Sequence, residues 1–290
     1  VLVAGAVAGA GLAEAMLPAG LRVTLADSAD DGLARALEGI AARGAGAVRD
    51  GRMTEAAREA DWARLVPALT GTPGGPFDLI VMAGEFAGAG AVLPGQARAA
   101  GLIIGAGALA EVLTSAATDP GTTATVMALM QRLGRLPVPA QGRGLTAPCL
   151  ASLGAAARHL AARHGGAAVG AVLKGWGLVI ADLPDGGNGG AAPEGAIAAR
   201  LLAAMANAGM RLLGEGAAQR PGDIDVALIH RLGWPRHVAG PMLWAAERGL
   251  LVVRADLKAL AAEEPAIWTP APLFDQMIRE GLRLEALDSG

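Results

Sequence analysis

The spacing of apolar residues changes along the chain. "VLVA" (1–4) and "FDLIVMAG" (77–84) are short, continuous apolar runs. Such runs suit parallel strands covered on both faces. "LRVTLAD" (21–27) predicts another strand, with Asp27 at its end. Between the first two strands, "GAVAGAG" (5–11) predicts a glycine-rich turn and "LAEAMLPAG" (12–20) a helix. A helical stretch over 29–47 follows, then "GRMTEAAREADWARLV" (51–66), where Thr54 caps a helix. "GLIIGAGALAEVL" (101–113) predicts a strand and a turn. Residues 119–140 predict a capped helix followed by a strand. This alternation implies an α/β fold: a mainly parallel, Rossmann-type doubly wound sheet over 1–140, with 1–4 beside 21–27.

Beyond residue 140 the helical period takes over. "LASLGAAARHLAARHGGAAVGAVLKGWGLVIADL" (150–183) and "LLAAMANAGMRLLGEGAAQRPGDIDVALIHRLGWPRHVAGPML" (201–243) share one plan. Each has a long Ala/Leu helix, a glycine, a shorter helix and a Gly-Trp pair, Gly175-Trp176 and Gly233-Trp234. The C-terminal half therefore reads as an all-α domain of two related helical repeats, 141–187 and 196–290. "PDGGNGGAAPEG" (184–195) reads as a flexible linker between them. Asp223 and Asp225 fall at a helix start and read as its caps. The helices over 150–162 and 197–213 carry Leu, Met and Ala at helical spacing. They are expected to pack on each other, with Trp176 and Trp234 in related positions. The chain then forms an internal pseudo-dimer and is expected to be a monomer.

Composition narrows the class. With 290 residues, 53% of them hydrophobic and 18% charged, the chain has ample core material. A net charge of −3 without a basic stripe argues against a nucleic-acid partner. The single cysteine, Cys149, excludes an internal disulfide, and no Cys/His spacing suggests zinc; a reducing cytoplasm fits. The apolar runs are broken by Pro, Gly or charge, so no membrane span is expected. Residues 1–17 lack the basic start of a signal peptide, and because Val1 lies in a strand-like run, a preceding segment is expected.

The candidate chemistry begins at the first turn. A strand, a glycine turn, a helix and an acid about 20 residues onward form a dinucleotide-binding unit. Glycine lets the backbone approach a pyrophosphate, and the helix N-terminus supplies free N–H groups. Gly5 serves as the first glycine, and Gly9 and Gly11 as later ones if one residue is deleted. Val7 then stands at the second-glycine place, with its side chain where the pyrophosphate should pass. Asp27 suits the adenosine ribose hydroxyls and would repel a 2′-phosphate, favouring NAD over NADP. With 43 glycines in the chain, a glycine-rich turn alone is a weak signal.

"RLLGEGAAQRPGDIDVALIHRLGWPRHVAGPM" within 196–250, "APLFDQMIREG" (271–281), "GRMTEAAREADWARLVP" and "DPGTTATVMALMQRLGRLPV" carry a resemblance. The chain resembles the 3-hydroxyacyl-CoA dehydrogenase family. It is most similar to the dehydrogenase half of bifunctional enoyl-CoA hydratase/3-hydroxyacyl-CoA dehydrogenases of fatty-acid β-oxidation. That resemblance implies NAD, an acyl-CoA thioester substrate and a hydratase domain or partner. It implies that the loop holding Pro235, Arg236 and His237 joins helices away from the chemistry, with Trp234 packed beneath it. It also implies a His general base, a Glu that orients it, a nearby Ser, and an Asn opening the first helical repeat.

Here "GALAEVLTS" (107–115) resembles the Glu segment, placing Glu111 on it. The preceding "GLIIGAG" (101–107) has no His. The Ser stretch is shortened away, as is part of the first repeat. In "GRGLTAPCL" (142–150), Pro148 and Cys149 stand where the family has Asn and Arg. His159, His164 and His230 fall in helical patterns. Without a His, Glu111 reads equally as a helix-surface carboxylate. Two functions follow: an NAD-dependent dehydrogenase whose base comes from elsewhere, or a catalytically silent dehydrogenase-like scaffold or interaction module, for which attachment to a hydratase domain is one arrangement.

Overall fold

The computed structural model describes residues 1–69, 77–83, 99–104, 108–187, 190, 192–234 and 240–288. It falls into two units, Val1–Pro137 and Val138–Gly290. The strands are β1 (Leu2–Ala4), β2 (Val23–Ala26), β3 (Leu65–Ala68), β4 (Ile80–Ala83), β5 (Ala99–Ile104), β6 (Leu109–Thr114) and β7 (Leu136–Gln141). They form one sheet in the order β3-β2-β1-β4-β5-β6-β7. The reversal of order beside β1 is the doubly wound signature. All three residues of β1 are buried, as a central parallel strand requires. β1 pairs in parallel with β2, Leu2 opposite Thr24, and with β4, Leu2 opposite Ile80. β4 and β5 are parallel, whereas β5 and β6 are antiparallel.

The first unit's helices are α1 (Ala6–Met16), α2 (Asp30–Arg49), α3 (Glu55–Trp62) and α4 (Pro120–Arg132). Three details correct the sequence reading. The glycine turn is one residue long. Gly5, left-handed at φ 86° and ψ 71°, reverses the chain, and Ala6 already starts α1. The alanines between Ala6 and Ala15 favour the helix, and Pro18 limits its extension. Second, 51–66 is not one helix: α3 ends at Trp62 and Leu65–Ala68 is strand. Trp62, Leu65 and Val66 keep the helical spacing through the break, which hid it. Pro67 is tolerated because β3 is an edge strand. Third, Glu111 lies on β6 and is fully buried, so it is not a helix-surface carboxylate. Thr54 caps α3 as expected, its Oγ1 accepting from the Ala57 N–H at 3.1 Å.

The second unit is helical after β7: α5 (Thr146–His164), α6 (Gly166–Gly175), α7 (Glu194–Gly214), α8 (Pro221–Leu232), α9 (Pro241–Arg248), α10 (Leu250–Ala261), α11 (Pro265–Trp268) and α12 (Pro272–Glu280). A 3-10 turn, Leu284–Leu287, follows. α5 packs along α7, and the Ser152 hydroxyl donates across the contact to Ala204 O at 2.8 Å. Trp176 follows α6, Trp234 follows α8, and their buried rings stack with centroids 4.9 Å apart. The Gly-Trp pairs nonetheless differ in backbone role. Gly233 is the left-handed C-cap of α8, whereas Gly175 ends α6 and Gly177 is left-handed instead.

α7 is long and apolar enough to cross a membrane by length and composition, contrary to the reading of the runs. Two-thirds of that window is buried, which makes it this unit's core helix. At its centre fully buried Asn207 has both ends of its amide paired. Its Nδ2 donates to Thr269 O at 2.9 Å, and its Oδ1 accepts from the Ala271 N–H at 2.8 Å. The expected linker is partly seated. A side chain on Gly166 would strike Pro184 O, and one on Gly187 would strike the backbone of 163–165.

Asp223 and Asp225 do not cap α8. Asp223 pairs with Arg220 at 2.7 Å. Asp225 points to another helix, accepting from the Met242 N–H at 2.9 Å and the Leu243 N–H at 2.8 Å in the first turn of α9. Gly240 leaves the room this needs, because any side chain there would collide with the carboxylate. The acids sit early in α8, but tertiary packing sends Asp225 across to α9.

Candidate functional site

In a doubly wound sheet, ligands gather at the carboxyl ends of the strands. Gly5 follows β1 and Asp27 follows β2, so both lie on that edge. β5 runs parallel to β4 and β1, which puts Ile103, its penultimate residue, on the same edge. Gly5 brings β1 and β2 together through its N–H to Ala26 O at 3.0 Å. The Asp27 carboxylate is held at the start of α1. Oδ2 accepts from the Ala6 N–H at 2.8 Å and Oδ1 from the Ala29 N–H at 3.1 Å. Gly32 packs beneath it, where an added Cβ would lie 3.4 Å from Oδ2. The acid is therefore held in place at a helix N-terminus.

The glycines are not equivalent. Gly5 alone adopts a conformation that demands glycine. Gly9 is buried within α1, and its N–H bonds Gly5 O at 2.8 Å. Gly11 faces open space and needs no glycine. Helix formation from Ala6 leaves Val7 in the first turn, its side chain 61% exposed. Asp27 suits a ribose diol, but the branched Val7 does not suit a pyrophosphate drawn close to the backbone. Asp27 thus has the chemistry to hold the adenosine end of NAD, whereas Val7 does not suit its phosphates. Val7→Gly is expected to tighten NADH binding, measured by nucleotide fluorescence; no improvement places the defect elsewhere. Asp27→Ala is expected to weaken binding by about 1–3 kcal/mol. An unchanged dissociation constant contradicts its assignment.

Glu111 belongs to the antiparallel pair β5–β6, and the residue directly opposite it is Ile103. Cross-strand partners project on one face with Cβ atoms about 4.5–5.5 Å apart. A hydrogen-bonding side chain at position 103 would meet the Glu111 carboxylate, but the position holds a half-buried isoleucine. The strand register thus identifies a site position that the shortened segment had obscured. Residues 84–98 and 105–107 lie outside the described residues.

The remaining candidates are dispersed. Pro148 is the third residue of α5 and supplies neither a side-chain nor a backbone donor. Cys149 is buried. His159, on α5, lies 3.4 Å from Glu263 and edge-on to Trp268. His164, the last residue of α5, meets Gly190 O at 3.0 Å and Arg200 at 3.1 Å. His230 is on α8. Pro235, Arg236 and His237 lie outside the described residues. Missed by the sequence reading was the gathering of Arg143, Ser152 and Arg211 around one cavity. They are far apart in sequence, and only the crossing of α5 and α7 unites them.

Residues 195–286 match the 3-hydroxyacyl-CoA dehydrogenase, C-terminal domain. A 68-residue stretch is 46% identical to the peroxisomal bifunctional enzyme of Cavia porcellus, covering 23% of this chain and 9% of that protein. An 80-residue stretch is 35% identical to the fatty acid oxidation complex subunit alpha of Idiomarina loihiensis, covering 28% of this chain and 11% of that protein. These matches span about a tenth of the relatives' length. Among solved structures, 3-hydroxybutyryl-CoA dehydrogenase from Escherichia coli superposes with a TM-score of 0.65 at 17% identity, over 95% of this chain and 97% of that one. The dehydrogenase part of multifunctional enzyme 1 from C. elegans gives 0.50 at 13% identity, over 95% and 88%. Residues 195–286 thus carry the C-terminal domain of 3-hydroxyacyl-CoA dehydrogenases, and the chain as a whole shares the fold of the superposed structures.

Proposed function

We propose that this chain is a 3-hydroxyacyl-CoA dehydrogenase module whose hydride-transfer activity is weak or lost. The observation that carries this reading is isoleucine opposite Glu111 on β5. Oxidising a 3-hydroxyl needs a group that takes the hydroxyl proton as the hydride leaves, and an imidazole suits that task near neutral pH. Isoleucine cannot do it, and no histidine precedes His159 in the chain. Pro148, where the family has Asn, removes a polar contact as well. Because Val7 does not suit the NAD phosphates, we derive no hydride step for this chain. Binding NAD through the Asp27 end is part of the proposal.

The retained role is that of a dehydrogenase-like scaffold beside a hydratase domain or partner, in a reducing compartment such as the cytoplasm. The names of the matched relatives, a bifunctional enzyme and a fatty acid oxidation complex subunit, support the link to acyl-CoA thioesters. The Trp176–Trp234 stack and the α5–α7 contact support a monomer, since each repeat covers the other's apolar face. Light scattering checks this: a concentration-independent mass near 28.8 kDa supports it, and a stable mass of twice that refutes it. The functional test is an NADH titration by nucleotide fluorescence, followed by acetoacetyl-CoA reduction. Weak binding with little or no turnover supports the proposal, and ordinary family turnover overturns it.

A further inference from the structure

Within the second unit, α5, α7 and α11, with Arg143 from the turn before α5, line an open pocket of about 250 Å³. Its walls are apolar at Pro148, Ala208 and Ile267, but two guanidinium groups, Arg143 and Arg211, also line it. Arg143 pairs with Glu215 at 2.8 Å. Arg211, one helical turn before Glu215, is about half buried and donates through Nη2 to Thr269 O at 2.7 Å. Burial pulls its guanidinium below the ordinary value, and the charge of Glu215 only partly opposes this. Two cations thus share one carboxylate, leaving the cavity one positive charge in excess. Ser152 also lines the wall, but its hydroxyl proton is committed to Ala204 O.

We propose that this cavity binds a small organic monocarboxylate, with the carboxylate held by Arg211 and Arg143 and its short apolar body against Pro148, Ala208 and Ile267. The charge sign follows from the two guanidiniums sharing a single acid. A planar carboxylate matches the fork of a guanidinium. Pro148, Ala208 and Ile267 offer a short alkyl body contacts that inorganic phosphate cannot use. The site lies wholly within residues 143–267 and does not depend on nucleotide binding or on dehydrogenase activity.

Saturation-transfer NMR with sodium butyrate on the full chain tests the proposal. Saturable binding is expected at a dissociation constant on the order of millimolar, as suits a ligand of six heavy atoms. Inorganic phosphate, followed by competition, should bind at least tenfold more weakly, and butanol should show no saturation. Arg211→Gln should weaken butyrate at least tenfold. Since Arg211 also holds Thr269, a second variant, Ala155→Leu, fills the cavity from the α5 wall and leaves both guanidiniums in place. It should abolish butyrate binding while the helical circular dichroism stays unchanged. No saturable butyrate binding, binding unaltered by both variants, or phosphate binding as tight as butyrate would each overturn the assignment.

Discussion

Asp225→Ala is expected to destabilise residues 138–290 by about 2–4 kcal/mol. The carboxylate is 8% exposed and satisfies two N–H groups in the first turn of α9. Its removal leaves the Met242 N–H buried without its acceptor, strips the part-buried Leu243 N–H of its partner, and opens space beside Gly240. A urea titration checks this; a loss under 1 kcal/mol would mean that α9 does not depend on this cap. The same residue predicts a pH dependence. Burial pushes the Asp225 carboxyl up to about 6, against the hydrogen bonds from Met242 and Leu243, which pull it down; Asp288 adds to the rise. In the unfolded chain it deprotonates near 4. Between about pH 4 and 6 the folded state therefore holds a proton that the unfolded state has lost. This contribution to stability falls as pH rises through that window, by at most about 1.4 kcal/mol per pH unit, and levels off above it. Asp225→Asn should flatten the slope.

Ile103→His is expected to raise acetoacetyl-CoA reduction at least tenfold over the unaltered protein. General acid–base catalysis is typically worth about 10²–10⁴-fold. Pro148 and Val7 stay unfavourable, so only part of that range returns. The imidazole would stand opposite Glu111, whose carboxylate can fix its tautomer. Adding Glu111→Gln to Ile103→His should erase most of the gain, and adding Val7→Gly should enlarge it if phosphate binding limits turnover. A gain insensitive to Glu111 would show that the register does not create a working pair.

Much of the architecture could be read from local pattern. The continuous apolar runs marked β1 and β4, and the Thr54 and Asp119 caps marked the starts of α3 and α4. The paired Ala/Leu helices and the two tryptophans anticipated the α5–α7 packing and the ring stack. What escaped was set by tertiary context. Trp62, Leu65 and Val66 continue a helical spacing, and only pairing with β2 makes Leu65–Ala68 a strand. Asp225 looks like a cap of its own helix until α9 is brought to it. Glu111 was found through resemblance, but its partner position required the β5–β6 register. No local pattern announces that Arg143 and Arg211 share a cavity.

The central claim is that this dehydrogenase fold has lost its base and that Glu111 has not replaced it. Steady-state reduction of acetoacetyl-CoA at saturating NADH, by the unaltered protein and by Glu111→Gln side by side, tests it most directly. The account predicts turnover about 10²–10⁴-fold below that of a relative with the His–Glu pair, and no further loss in Glu111→Gln. Robust turnover that disappears in Glu111→Gln would contradict it and make Glu111 the base.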